Sequence, residues 1–208
     1  MIETPLEKIK KSLKNLFAAF IAVVMLAAFS NSAIADDWSK LSKKKQTTLG
    51  LYMTSQQAYD HMMKNMDKAL FLDVRTPAEL NYLGVTSVMD ANVPTDMMDG
   101  SAWDDKKSRY KRKHNDNFVA DVDARMKAKG LKKTDAVILM CRSGKRSAKA
   151  VNELAKNGYT NVYSVVDGYE GDKVKEGENK GKRMKNGWKY SGLPWTYSMD
   201  KDLMYIDK

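Results

Sequence analysis

One cysteine and two histidines stand in a chain of 208 residues. A single cysteine excludes an internal disulfide framework. So few histidines, with no Cys/His cluster at metal-ligand spacing, leave no expected metal and no other expected cofactor. His61 and its neighbours Met62, Met63 and Met66 read as core packing or surface rather than ligands. Long apolar runs are scarce too. The run from Leu16 to Phe29 has 14 residues, short for a membrane span, and no internal repeat is evident.

That run belongs to a first segment of a different kind. Lys8, Lys10, Lys11 and Lys14 precede it, and Ala33-Ile34-Ala35 fits a small-residue cleavage site. Residues 1–35 therefore read as a bacterial secretory signal peptide cleaved after Ala35. No cysteine stands where a lipoprotein would need one. The expectation is an exported, periplasmic mature protein with no stable membrane insertion after processing. The formal net charge is +10, and a leader with four lysines and two glutamates leaves +8 behind. Basic runs occur at Lys43–Lys45, Lys106–Lys113 and Lys180–Lys185. Export and the acidic residues near each run argue against nucleic acid, so they read as solvated faces. Anionic substrates or envelope surfaces are the functional alternative, and a protein partner stays open. In an oxidising compartment a spare exposed thiol is a liability, so its presence hints at chemistry.

The remaining chain alternates strands and helices. Residues 36–49 form a polar, loosely held lead-in. Thr54 and Gln57 make a capping-box pattern ahead of a helix. Ala69 to Val74 reads as a buried strand, and Thr76, Pro77 and Glu79 supply N-cap, N1 and N3 of the next helix. A strand is expected near Val88–Val93, closed by Pro94, and residues 95–116 read as a basic insertion or long loop. Phe118, Val119, Val122 and Met126 mark a helix ended by Gly130. Ala136–Met140 and Val162–Val166 are further apolar strands. Such alternation implies an α/β fold, a single domain over about 50–171, with a parallel sheet flanked by helices on both faces. Residues 172–208 then form a charged loop and an aromatic C-terminal arm (Trp188, Tyr190, Leu193, Pro194, Trp195, Tyr197) packed on that domain.

The chemistry concentrates at the end of the 136–140 strand. Cys141 is followed by Arg142, Ser143, Gly144, Lys145 and Arg146, and by a helix from about Ser147 to Asn157. A thiol between a strand end and a helix N-terminus meets free N–H groups and the positive end of the helix dipole. With three cations beside it, such a thiol ionises below its ordinary range, and thiolate is the nucleophilic form. The strand ending Asp73-Val74-Arg75 brings a carboxylate and a guanidinium to the same carboxyl edge, where sites form in open α/β sheets.

Three stretches resemble one family. Asp73-Val74-Arg75-Thr76-Pro77-Ala78-Glu79 is similar to the first signature of the rhodanese-like sulfurtransferases. Cys141-Arg142-Ser143-Gly144-Lys145-Arg146-Ser147 is similar to their active-site loop, and Val166-Asp167-Gly168-Tyr169-Glu170-Gly171 to the element after their last strand. The resemblance covers roughly 50–171 and implies one rhodanese-like domain. It implies that Cys141 takes sulfur from a small sulfur-containing anion such as thiosulfate and passes it, as a persulfide, to cyanide or a thiol. It further implies that the loop N–H groups from Arg142 to Ser147 cradle the persulfide. Arg142 and Lys145 would bind the donor's anionic end, while Arg146, Asp73 and Arg75 brace the loop. The family's Gly-His-Ile-Pro-Gly-Ala segment is replaced by Gly84-Val85-Thr86-Ser87-Val88-Met89, without the histidine.

Two other readings stand beside this one. A phosphatase or arsenate reductase of the same fold would resemble Cys-x5-Arg, whereas here the arginine falls at Cys-x4-Arg and the x5 position is Ser147. A loop one residue shorter suits a single sulfur atom better than a tetrahedral oxyanion. A non-catalytic or redox-sensing binding module is the second, although such modules commonly lose the cysteine or the loop cations.

Overall fold

The structure, a computed structural model, describes residues 37–206. The expected signal peptide and its expected cleavage point lie outside the described residues. The chain divides into units 1–39 and 40–208, and the fold is that of the second. Its elements run β1 (Tyr52–Met53), α1 (Ser55–Asn65), β2 (Ala69–Asp73), α2 (Pro77–Leu83), β3 (Val85–Thr86), β4 (Ala91–Asn92), β5 (Asp96–Asp104) and β6 (Arg109–His114). Then come α3 (Phe118–Ala128), β7 (Ala136–Met140), α4 (Lys145–Lys156), β8 (Val162–Val165) and β9 (Trp195–Thr196).

Five strands form an all-parallel sheet in the order β1-β8-β7-β2-β4. Side chains alternate across it. Leu70, Leu72, Val137 and Leu139 join Phe118 and Val122 of α3 and Val151 and Leu154 of α4 on one face. Phe71, Ile138 and Met140 join Ala58 and Met62 of α1, Leu80 of α2 and Trp188 on the other. Both faces are covered, which is why β2 and β7 are continuous apolar runs rather than alternating ones. Both capping boxes form: Thr54 with Gln57 at the start of α1, and Thr76 with Glu79 at the start of α2, with Pro77 in its first turn.

The expected strand near Val88–Val93 shortens to Ala91–Asn92, and a second short strand stands before it at Val85–Thr86. Ala91–Asn92 joins the central sheet beside β2, while Val85–Thr86 pairs antiparallel with Trp195–Thr196 of the C-terminal arm. Between them the chain turns, and the Asp90 carboxylate accepts from the Phe71 N–H at 2.8 Å. The arm closes over α1 and β2: Trp188 is fully buried, 5.6 Å from the Phe71 ring, and its Nε1 donates to Pro194 O at 2.9 Å.

Residues 95–116 are not a long loop. They hold the antiparallel β5–β6 hairpin, bulged between Asp99 and Trp103. Its strands lack an apolar face, so period-two patterning does not reveal them. Their register sets opposite charges face to face, Asp99 opposite Lys111 and Asp104 opposite Arg109. Trp103 and Tyr110 add an edge-on ring contact at 5.3 Å. The lead-in is likewise tied down. Lys45, buried, bonds both Asp172 oxygens at 2.9 and 2.8 Å, and Thr48 N donates to Asn152 Oδ1 at 2.8 Å.

Candidate active site

Cys141 follows β7 directly, and α4 begins at Lys145, two residues earlier than the sequence indicates. Gly144 makes this possible. It caps α4 with φ +83°, and a Cβ there would stand 2.1 Å from Val166 O. Gly168 is pressed from the other side: a Cβ on it would stand 2.4 Å from Cys141 O, at φ +67°. Tyr169 N donates to Cys141 O at 2.8 Å and Glu170 N to Arg142 O at 2.9 Å, so the 167–171 segment backs the cysteine loop. Gly144→Ala is therefore expected to cost at least about 1–3 kcal/mol from backbone strain alone, with displacement of Val166 added. Urea unfolding reads it, and a variant as stable as the parent would contradict the close approach.

The Cys141 thiol is buried, only 1% of the residue being exposed. Burial pushes its ionisation up. Against that act the Arg146 charge, the backbone N–H groups of Ser147 and Ser143, and the Ser147 hydroxyl, and together they hold it below the ordinary thiol range. Ser147 Oγ lies 3.7 Å from Sγ and 3.0 Å from Ser164 Oγ, so β8 helps aim it. The arrangement favours a thiolate enclosed by N–H donors, able to attack a small electrophile and to hold negative charge afterwards.

The cations around this loop divide into distinct roles. Arg146 makes two short bonds to Glu79, 2.7 and 2.6 Å. Glu79 is pulled down to about 2: burial opposes this, and the Arg146 bond and charge together with Arg112 outweigh it. Asp73 and Arg75 pair with each other instead, fully buried, at 2.7 to 3.0 Å, and Arg75 Nη2 donates to Gly84 O at 2.9 Å. The Arg75 guanidinium also lies over the Tyr169 ring, 3.8 Å from its centre. Asn92 Nδ2 donates to both Asp73 O and Arg75 O at 2.8 Å, locking the end of β2. Arg142 is half-buried with Nε 3.9 Å from Glu170, while Lys145 is exposed and faces a groove beside α4. Among the described residues no three His, Cys, Asp or Glu side chains gather as a metal site.

Several site residues carry no local sequence signal for their role. Glu79 reads only as a capping-box residue, yet the carboxylate that closes the box also holds Arg146. Arg183, from the charged 172–189 stretch, donates to Gly171 O and lies near enough for its charge to act on Cys141 and Arg142. Asp167, buried, accepts from Ser55 N and Oγ at 2.8 and 2.9 Å and from Gly187 N at 3.2 Å. It ties α1, the 167–171 segment and the arm together. The Val166-Asp167-Gly168 stretch was the signal for it, though not for its partners.

Residues 54–175 match the family described as Rhodanese-like domain. Uncharacterized protein RC0915 of Rickettsia conorii is 32% identical over 143 residues, 69% of this chain and 94% of that protein. RP600 of Rickettsia prowazekii is 29% identical over the same span. The crystal structure of Rv0390 from M. tuberculosis is similar at a TM-score of 0.53 and 31% identity, over 70% of this chain and 96% of that one.

Proposed function

From the premise that this chain belongs to the rhodanese-like domain family, we propose that it is a sulfurtransferase working through a Cys141 persulfide. The observation that carries this reading is the enclosed thiol, its charge favoured by Arg146 and by the N–H groups of Ser143 and Ser147. The thiolate attacks the outer sulfur of a donor such as thiosulfate. The sulfur–sulfur bond of the donor breaks, sulfite leaves with its electron pair, and Cys141 keeps the transferred sulfur as a persulfide anion. A thiophilic acceptor, cyanide or a thiolate, then attacks that outer sulfur and returns the Cys141 thiolate. In this reading the Ser143 and Ser147 N–H groups, which already favour charge on Cys141, stabilise the persulfide, and Arg142 with Arg183 holds the donor's anionic end. Lys145, turned to the groove beside α4, is less suited to that task. A buried sulfur favours small donors.

Export belongs to the same proposal: a signal peptide at 1–35, cleavage after Ala35, and action in the periplasm on small sulfur-containing anions and thiol acceptors. Intact-mass analysis of the protein purified from cells tests both parts. The chain is expected to begin at Asp36, to gain about 32 Da on Cys141 with thiosulfate, and to lose that mass with cyanide. If Cys141 alkylates freely yet takes no sulfur from thiosulfate or polysulfide, the non-catalytic module becomes the better reading.

A further inference from the structure

Beside the cysteine loop lies a groove of about 660 Å³, walled by the 3-10 turn at Lys43–Lys45, the β5–β6 hairpin and the first turns of α4. Nine cationic side chains line it against two carboxylates, Asp96 and Asp104. Both carboxylates are already engaged, Asp104 by Lys107 at 2.6 Å and Asp96 by Arg112 at 3.9 Å. Lys43, Lys44, Lys145 and Lys149 make no side-chain hydrogen bond or ion pair among the described residues. Like charges gathered from three separate elements repel one another. Nine cations against two carboxylates that are already engaged leave a net positive potential, focused by the walls of the groove.

We propose that this groove docks an acidic segment of a partner protein. Three features favour a polypeptide over other polyanions. The groove is concave, so a flat lipid surface meets its rims rather than its floor. Its volume is that of a pocket for a ligand of modest size, a few residues of extended chain, and too small for a duplex. Its cations are mostly lysines spread along the groove, point charges suited to successive carboxylates, whereas a phosphate site gathers arginine forks and N–H groups at one place. Tyr110 and Ala148 add apolar contact between the charges. The lining includes Arg146, the cation that favours the Cys141 thiolate. A docked segment therefore sits next to the sulfur chemistry without entering it.

The test is fluorescence anisotropy with a labelled peptide alternating glutamate and serine, titrated with the mature protein and with a K43E/K44E/K149E variant. These three lysines are exposed and have no side-chain partner among the described residues, so the variant is expected to keep the parent's circular dichroism and melting. The peptide is expected to bind the parent, to weaken as salt is added, and to lose at least about tenfold in affinity in the variant. No binding, or equal binding to parent and variant, overturns the proposal. Tighter binding of a single-stranded oligonucleotide of equal charge, or of anionic phosphatidylglycerol vesicles, overturns the assignment to a polypeptide. Anisotropy reads the groove whether or not Cys141 carries sulfur, so this failure and failure of the sulfurtransferase reading are distinguishable.

Discussion

Cys141→Ser is expected to abolish sulfur loading altogether while leaving the fold in place. Serine matches the shape of cysteine, and its hydroxyl finds Ser147 Oγ, 3.7 Å from the present sulfur, as a partner. The structural cost is at most that of burying one hydroxyl, about 1–3 kcal/mol, below the net stability of a typical domain. The chemical cost is total. An alcohol does not ionise near neutral pH under the same field, and an alkoxide at this site has no sulfur to donate or hold as a persulfide. The comparison measurement is alkylation of the parent by iodoacetamide across pH. The rate is expected to rise through a midpoint below that of an ordinary thiol, because Arg146 and the loop N–H groups outweigh the burial that opposes ionisation. Residual mass gain in the serine variant would move the sulfur-carrying site elsewhere in the protein. An alkylation midpoint at or above the ordinary thiol value would remove the electrostatic argument for Cys141.

Asp73→Ala is expected to produce the largest loss of stability of any single substitution considered. Asp73 and Arg75 are both fully buried, and Arg75 spends Nε and Nη2 on the Asp73 carboxylate. Removing the carboxylate leaves a guanidinium in the interior with Gly84 O and the Tyr169 ring as its remaining company. Breaking one side of such a pair costs about 3–5 kcal/mol, a large part of the net stability of a typical domain. Urea unfolding at neutral pH measures it, with the midpoint falling at unchanged slope. The double change Asp73→Leu with Arg75→Met removes both charges and is expected to recover a good share of the loss. A single variant less than about 1 kcal/mol below the parent would mean that water reaches Arg75 and that the pair is not as enclosed as it stands here.

The two roles assigned to cations of the cysteine loop show where reading a sequence stops. The run from Cys141 to Ser147 announces a thiolate loop because the signals are local: a strand end, a glycine at the turn, three cations and a helix start lie within seven consecutive residues. The resemblance groups Arg146 with Asp73 and Arg75 as braces. In the fold Arg146 has its own counter-ion in Glu79, 67 positions away, and Asp73 and Arg75 form a separate pair two residues apart. Charge complementarity has no period along the chain, so a long-range partner cannot be chosen from composition. The same reason hid the hairpin. Its strands have polar side chains on both faces, and only their mutual register sets Asp99 opposite Lys111 and Asp104 opposite Arg109.

What the sequence by itself determined is whatever short-range physics decides: the buried strands β2, β7 and β8, the capping boxes at Thr54 and Thr76, the glycine-capped turn after Cys141, and hence a parallel α/β domain with a thiol at the carboxyl edge of its sheet. What only the tertiary structure decided is everything set by pairing across distance. The two-residue β1 finds its place only against β8, and Val85–Thr86 leaves the central sheet to pair with the C-terminal arm. Arg183, from a stretch that reads as a charged loop, bonds Gly171 O and brings its charge near Cys141. Lysines from three separate runs of sequence converge on one groove. Short elements and solvated charges carry too little local preference to specify a position, and burial of the sheet faces, which fixes the frame, decides it for them.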